Sequence, residues 1–172
     1  MRRPVDSDRI RAFAREVGRH ARRETKLYLT GGATAVLHGW RDMTVDIDVR
    51  FEPDDDEIFR AIAGLKDRLD LNVEFASPPD FIPELPGWRD RSPFLFREGK
   101  VDVHEFDFYS QALSKIERGF DHDLADVAAM FRDGLVERPR LRDLFSEIEA
   151  DLFRYLAIDA EAFRRKVEQA TD

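Results

Sequence analysis

Two periodicities divide this chain into elements. Ile10, Phe13, Ala14, Val17 and Ala21 recur at helical spacing and predict an amphipathic helix over 7–24, with Asp6 or Ser7 as its cap. Leu27, Tyr28 and Leu29 read as a short strand running into Gly31-Gly32, and Ala33 to His38 suits a short helix. From Thr44 to Phe51 the period changes to two. Val45, Ile47 and Val49 point one way, and Thr44, Asp46, Asp48 and Arg50 the other. Pro53 and the acidic run Asp54 to Glu57 open another helix, where carboxylates complement the amino-terminal dipole. Ile58, Ile62, Leu65 and Leu69 form its buried stripe.

Leu71 to Phe75 reads as a further strand. Residues 77–93 hold Pro78, Pro79, Pro83, Pro86 and Pro93 and predict a long loop, a kind of segment more often functional or mobile than filler. Trp88 within it is either a substrate-facing lid residue or, the favoured role, a hydrophobic anchor. Phe94 to Phe96 and Val101 to Phe106 flank Gly99-Lys100 as a hairpin. Beyond Tyr109 the pattern is helical. One stripe is Leu124, Val127, Ala128, Phe131 and Leu135; the next runs from Leu141 through Leu144, Phe145, Ile148 and Leu152 to Leu156; a last helix starts at Asp159 as cap. The expected fold is α+β: a core over 1–107 with a small mixed sheet flanked by helices, and a helical region over 108–172 packed on it as one compact unit.

Composition narrows the function classes. The 172 residues are 42% hydrophobic and 37% charged, as in a soluble globular domain that needs no staples. The absence of cysteine excludes disulfides and thiolate zinc sites. No apolar run approaches the roughly 20 residues that span a bilayer. The polar start, Met1 to Asp8, does not read as a secretory signal, so the expected location is cytoplasmic, with no membrane partner. Net charge is −8 but uneven: residues 1–26 carry nine Lys or Arg against four Asp or Glu. A uniformly basic nucleic-acid binder is excluded, and the basic first helix is either a solvated face or a local patch.

The chemistry concentrates in residues 29–49. Two glycines end a strand and open a helix, which lets a ligand approach the backbone and favours a phosphate. Asp46-Ile47-Asp48 places two carboxylates on one strand face, an arrangement that is costly without a cation. Hard oxygen ligands of this kind suit Mg2+ or Mn2+, with substrate phosphates completing the shell. The four histidines, His20, His38, His104 and His122, show no zinc-ligand spacing.

Gly31-Gly32, Arg41, Thr44, Asp46 and Asp48 resemble the core motif of the DNA polymerase beta-like nucleotidyltransferases, and within them the AbiEii toxin-type, MenT-like branch, which includes toxins that modify transfer RNA. The resemblance covers about residues 27–131. It implies a nucleoside triphosphate bound by Gly31, Gly32, Arg41, Thr44 and Lys115, and catalysis by Asp46, Asp48, Lys115 and Asp123. It also implies metal held by Asp46, Asp48 and a third carboxylate. Asp102 is chosen for that place because it shares a strand face with His104, and Glu105 and Asp107 compete for it. The branch's downstream helical lysine and Arg-Asp-x-x-Asp motif match Lys115 and Asp123 with Asp126. Three departures stand out: one extra residue between Arg41 and Thr44, Gly32 where many active members have serine, and His122 in place of the arginine. The alternative for Lys115, Asp123 and Asp126 is an ion-pair network between neighbouring helices.

The implied activity is transfer of a nucleoside monophosphate from a triphosphate to an RNA (tRNA) or protein acceptor, in a toxin–antitoxin setting with a cognate partner protein. Two other readings compete: a catalytically inactive module of the same fold that binds a partner or nucleotide, and a metal-dependent phosphohydrolase using the same acids.

Overall fold

The computed structural model describes residues 1–172. The chain divides into two compact units: Met1–Ser77 with Ser92–Glu105, and Pro78–Arg91 with Phe106–Asp172. The proline-rich segment thus belongs with the helical residues rather than with the sheet. The fold is α+β, with one five-stranded mixed sheet and seven α-helices.

The first unit contains α1 (Ser7–His20), β1 (Thr25–Thr30), α2 (Gly32–Leu37), β2 (Asp46–Glu52), α3 (Asp56–Arg68), β3 (Asn72–Glu74), β4 (Phe94–Glu98) and β5 (Val101–Glu105). The sheet order is β3-β2-β1-β5-β4. β1 lies at its centre, antiparallel to β2 and parallel to β5, while β3 runs parallel to β2 and β4 antiparallel to β5. Alternation along the strands sends Leu27, Leu29, Ile47, Val49, Val101 and Val103 into one core with Ile10, Phe13 and Val17 of α1 and Ile58, Ile62 and Leu65 of α3. Each such side chain contributes about 1.5–3 kcal/mol by leaving water.

Asp6 caps α1 and Asp55 caps α3, each accepting backbone N–H bonds with its carboxylate. The first helix stops at His20, short of the expected 24, because Ala21 turns extended. Arg22, Arg23 and Glu24 are exposed and offer nothing to bury, and the Thr25 N–H already bonds to Lys100 O at 3.0 Å. Val45, expected to point inward, is 67% exposed. It lies between Thr44, tied by backbone bonds of 2.7 and 2.9 Å to Val5, and the start of β2 at Asp46. Phe75 is likewise exposed, because β3 ends at Glu74. The amino-terminal segment also clamps the end of α3. Arg9 donates to Asp70 O at 2.9 Å and Arg3 to the Asp70 carboxylate at 3.0 Å. Asp70 is the one non-glycine residue with positive φ, 52°, a conformation that costs about 1–2 kcal/mol and that these bonds help to hold.

The second unit contains α4 (Phe108–Arg118), α5 (Asp121–Arg132), α6 (Arg138–Ile148), α7 (Ala160–Thr171) and 3-10 turns at Pro78–Asp80 and Glu149–Arg154. Trp88 is buried and stacks on Phe106 with ring centroids 4.3 Å apart, which is the anchor role. Buried Asp107 caps α4 through Tyr109 N–H and Ser110 N–H and takes both arms of the Arg91 guanidinium, at 3.0 and 2.9 Å. The expected stripes are interrupted at Leu124, 44% exposed, and at Leu156, which is fully exposed.

Arg91→Ala is expected to lower stability by about 3 kcal/mol, because Asp107 stays buried without its guanidinium. Urea unfolding checks this, and Arg91→Lys should recover only part, since one ammonium cannot form the two parallel bonds.

Candidate functional site

Asp46 and Asp48 project from the same face of β2, both half-buried, while Ile47 and Val49 between and beyond them are core. Asp48 pairs across the ladder with Thr30, the residue before the glycine turn. Gly31 takes φ 64° and precedes α2. A Cβ on Gly31 would collide with Oδ2 of Asp48. A Cβ on Gly32 would collide with Oγ1 of Thr44 and stand 2.9 Å from the Thr44 Cβ. Gly31 is favoured by its positive φ, and Gly32 by the closeness of the Thr44 side chain. The Thr44 hydroxyl stands beside Gly32 and itself donates to Asp46 O at 3.2 Å. Gly31, Gly32, Thr44 and Asp48 thus meet at one place, with Asp46 two residues from Asp48 on the same strand.

Asn72 was missed by sequence reasoning. It lies beside Asp46 in the parallel β2–β3 register and donates its side-chain amide to the Asp46 carboxylate. Its signal was an uncharged amide in an otherwise apolar strand start, Leu71-Asn72-Val73. Arg41 is half-buried and follows α2 in a turn held by Trp40 N–H on Ala35 O at 2.9 Å.

Asp102 is not a neighbour of the acidic pair. On the shared face it lies level with Lys26, whereas Asp48 lies level with Thr30, four positions along β1. At about 3.3 Å per residue that is roughly 13 Å, beyond the reach of one ion. Asp102 instead pairs with Arg97 at 2.9 Å, which also holds Glu24. Glu105 points to the opposite, apolar face, where it lies level with Leu29 and its Oε2 meets His38 Nε2 at 2.8 Å. Its Oε1 is buried with no hydrogen-bond partner. His38, the residue ending α2, also stacks on Trp40 at 4.9 Å between centroids. His104 bonds to Ser92 O through Nδ1 at 3.0 Å. No three His, Asp or Glu side chains form a ready ligand set. Asp46 and Asp48, on one face of β2, are the carboxylates that could hold a cation of the kind that takes one or two protein carboxylates and fills its shell with water and phosphate.

In the second unit, Lys115, Asp123 and Asp126 form a buried charged network between α4 and α5. Lys115 Nζ lies 2.7 Å from Asp126 and 3.6 Å from Asp123. Arg118 grips Asp123 with two nitrogens, one at 2.9 Å, and His122 stands 3.7 Å away. Burial pushes the Asp123 carboxyl up, but the Arg118 hydrogen bond with the charges of Arg118, Lys115 and His122 together hold it below the usual carboxylate range.

A family model matches residues 8–169, and its family, DUF6036, is described as a nucleotidyltransferase of unknown function. Comparisons with curated proteins and with solved structures find no match.

Gly32→Ala is expected to cost about 1–3 kcal/mol by overpacking against Thr44. Combining it with Thr44→Gly should show a favourable coupling of about 1 kcal/mol in a double-mutant cycle of denaturation midpoints. For Asp123, a folded carboxyl held below its unfolded value stabilises the protein above the unfolded value, and that stability is lost as pH falls through the folded one. Asp123→Asn should therefore destabilise by about 2–3 kcal/mol at neutral pH, with the gap to wild type closing below about pH 4. Thermal melts across pH measure both.

Proposed function

Because this chain belongs to the DUF6036 family of nucleotidyltransferases, we propose that it transfers a nucleoside monophosphate from a nucleoside triphosphate to an acceptor hydroxyl, with Mg2+ or Mn2+ held by Asp46 and Asp48. The observation that carries this reading is the acidic pair set against a glycine turn that has no room for a side chain at either position. In the step, the acceptor oxygen attacks the α-phosphorus and a new P–O bond forms. The bond to the bridging α–β oxygen breaks, pyrophosphate leaves, and the hydroxyl proton passes to solvent. The ion supplies charge neutralisation for the phosphates and the leaving group.

The chain's own residues do the rest. Asn72 donates to one oxygen of the Asp46 carboxylate and so orients a side chain that would hold the ion. Gly31 and Gly32 let phosphate oxygens approach the backbone, and Thr44 brings a hydroxyl beside Gly32. Arg41 contributes positive charge beside the turn. Lys115, Asp123 and Asp126 hold α4 to α5 in this reading, since the lysine already carries two carboxylates. The finer assignment follows the AbiEii-type resemblance: a tRNA acceptor engaged through the arginines of α1, and a place as the toxin half of a toxin–antitoxin pair. A second reading, a nucleotide-binding module without turnover, is favoured by one observation, that no three His, Asp or Glu side chains come together as a metal-ligand set.

Calorimetry with each triphosphate and Mg2+ tests the site. Asp46→Ala and Asp48→Ala should abolish metal-dependent binding, and Asn72→Ala should weaken it about tenfold. Binding that survives in both aspartate variants would overturn the assignment. Incubation of the wild type with α-labelled triphosphates and total RNA then separates the readings. Label on RNA or protein supports transfer, and tight binding without label transfer supports the silent module.

A further inference from the structure

The helical unit carries a second feature, independent of the acidic pair. A groove of about 550 Å³ opens between α4, α5 and α7, with Arg138 of α6 at its edge. That size falls in the range of small-molecule sites. Its floor is apolar, formed by Ile116 of α4 and by Leu124, Val127 and Phe131 of α5. Leu124 stays 44% exposed and Ala128 is exposed beside it, an apolar stripe along α5 that this unit leaves uncovered.

The polar groups are distributed by sign. The chain has 36 Asp and Glu residues and a net charge of −8, yet no carboxylate lines the groove, while Arg132, Arg138 and Lys166 do. Two of these cations are already engaged. Lys166 donates to Glu117 O and stands by Gly119, at the end of the groove where α4 finishes. Arg132 pairs with its neighbour Asp133 at 2.9 Å. Arg138 makes no ion pair, and its guanidinium lies over the Phe131 ring, 4.3 Å from the centroid. The cation open to a ligand thus sits at the Phe131 end, about 10 Å along α5 from Leu124 at 1.5 Å per residue. A two-fold copy of this chain docked on the same surface would set its own cations against these, so a second copy is a poor occupant.

We infer that this groove binds an amphipathic organic anion, with its apolar body along α5 and a carboxylate or phosphate head at Arg138. A flat arginine presents paired donors to either head group.

The test titrates the full chain with straight-chain probes below their micelle concentrations. Carboxylates from hexanoate to dodecanoate should bind about fourfold more tightly per added methylene until the groove is full. Decanoate should exceed decyltrimethylammonium by at least about tenfold. Decyl phosphate beside decanoate tells which head group is preferred. Ala128→Trp, which fills the groove from an exposed position, should remove decanoate binding. Arg138→Glu should reverse the preference toward the ammonium; glutamate suits this first position of α6, so the fold is retained. Equal affinity for the two head charges, or decanoate binding untouched by both substitutions, would overturn the inference, as would the failure of every anionic probe to bind.

Discussion

The contact that the candidate site depends on is the approach of the Gly31-Gly32 turn to the Asp48 carboxylate and the Thr44 hydroxyl. It is a steric constraint before it is a chemical one. The pairing of Thr30 with Asp48 in the β1–β2 ladder brings the turn alongside the acid, and the bridge between Val5 and Thr44 holds the hydroxyl on the other glycine. Neither neighbour leaves space for a Cβ. The Asp48 carboxylate and the Thr44 hydroxyl stand where those Cβ atoms would be, so the turn, the acid and the hydroxyl are held together by one packing constraint.

Around that contact the structure handles charge by pairing it locally. Asp46 is held by Asn72, Asp102 by Arg97, Asp107 by Arg91, and Asp123 by Arg118 and Lys115. Buried carboxylates cost several kcal/mol unless bonded in this way. Asp46 and Asp48 add a second feature, their shared place on one face of β2 beside the glycine turn. Two half-buried acids on one strand face are the arrangement a divalent ion would complete, and this is why the functional reading rests on them rather than on the more numerous ion pairs elsewhere.

The helical unit shows the opposite arrangement of charge. Asp123 and Asp126 are buried as partners in the α4–α5 network, while Arg132, Arg138 and Lys166 line the open groove. Placing Asp123 and Asp126 inward and Arg132 outward on α5 gives one helix two functions, an ionic tie to α4 and an apolar wall.

Local order determined much of this protein before any tertiary contact. The period of two in Asp46-Ile47-Asp48 put both carboxylates on one face, the glycine pair marked the turn, and Asp6 and Asp159 stood where helix caps belong, because periodicity and capping act within a few residues. Strand register is set by pairing between distant segments, which no local pattern encodes. Only the parallel match of β5 to β1 decided that Asp102 stands near Lys26 and that Glu105 turns toward His38, and only the β2–β3 match brought Asn72 to Asp46. Likewise the spacing of Lys115, Asp123 and Asp126 was legible, but their burial against one another arose from the packing of α4 on α5, a long-range event of the folded chain.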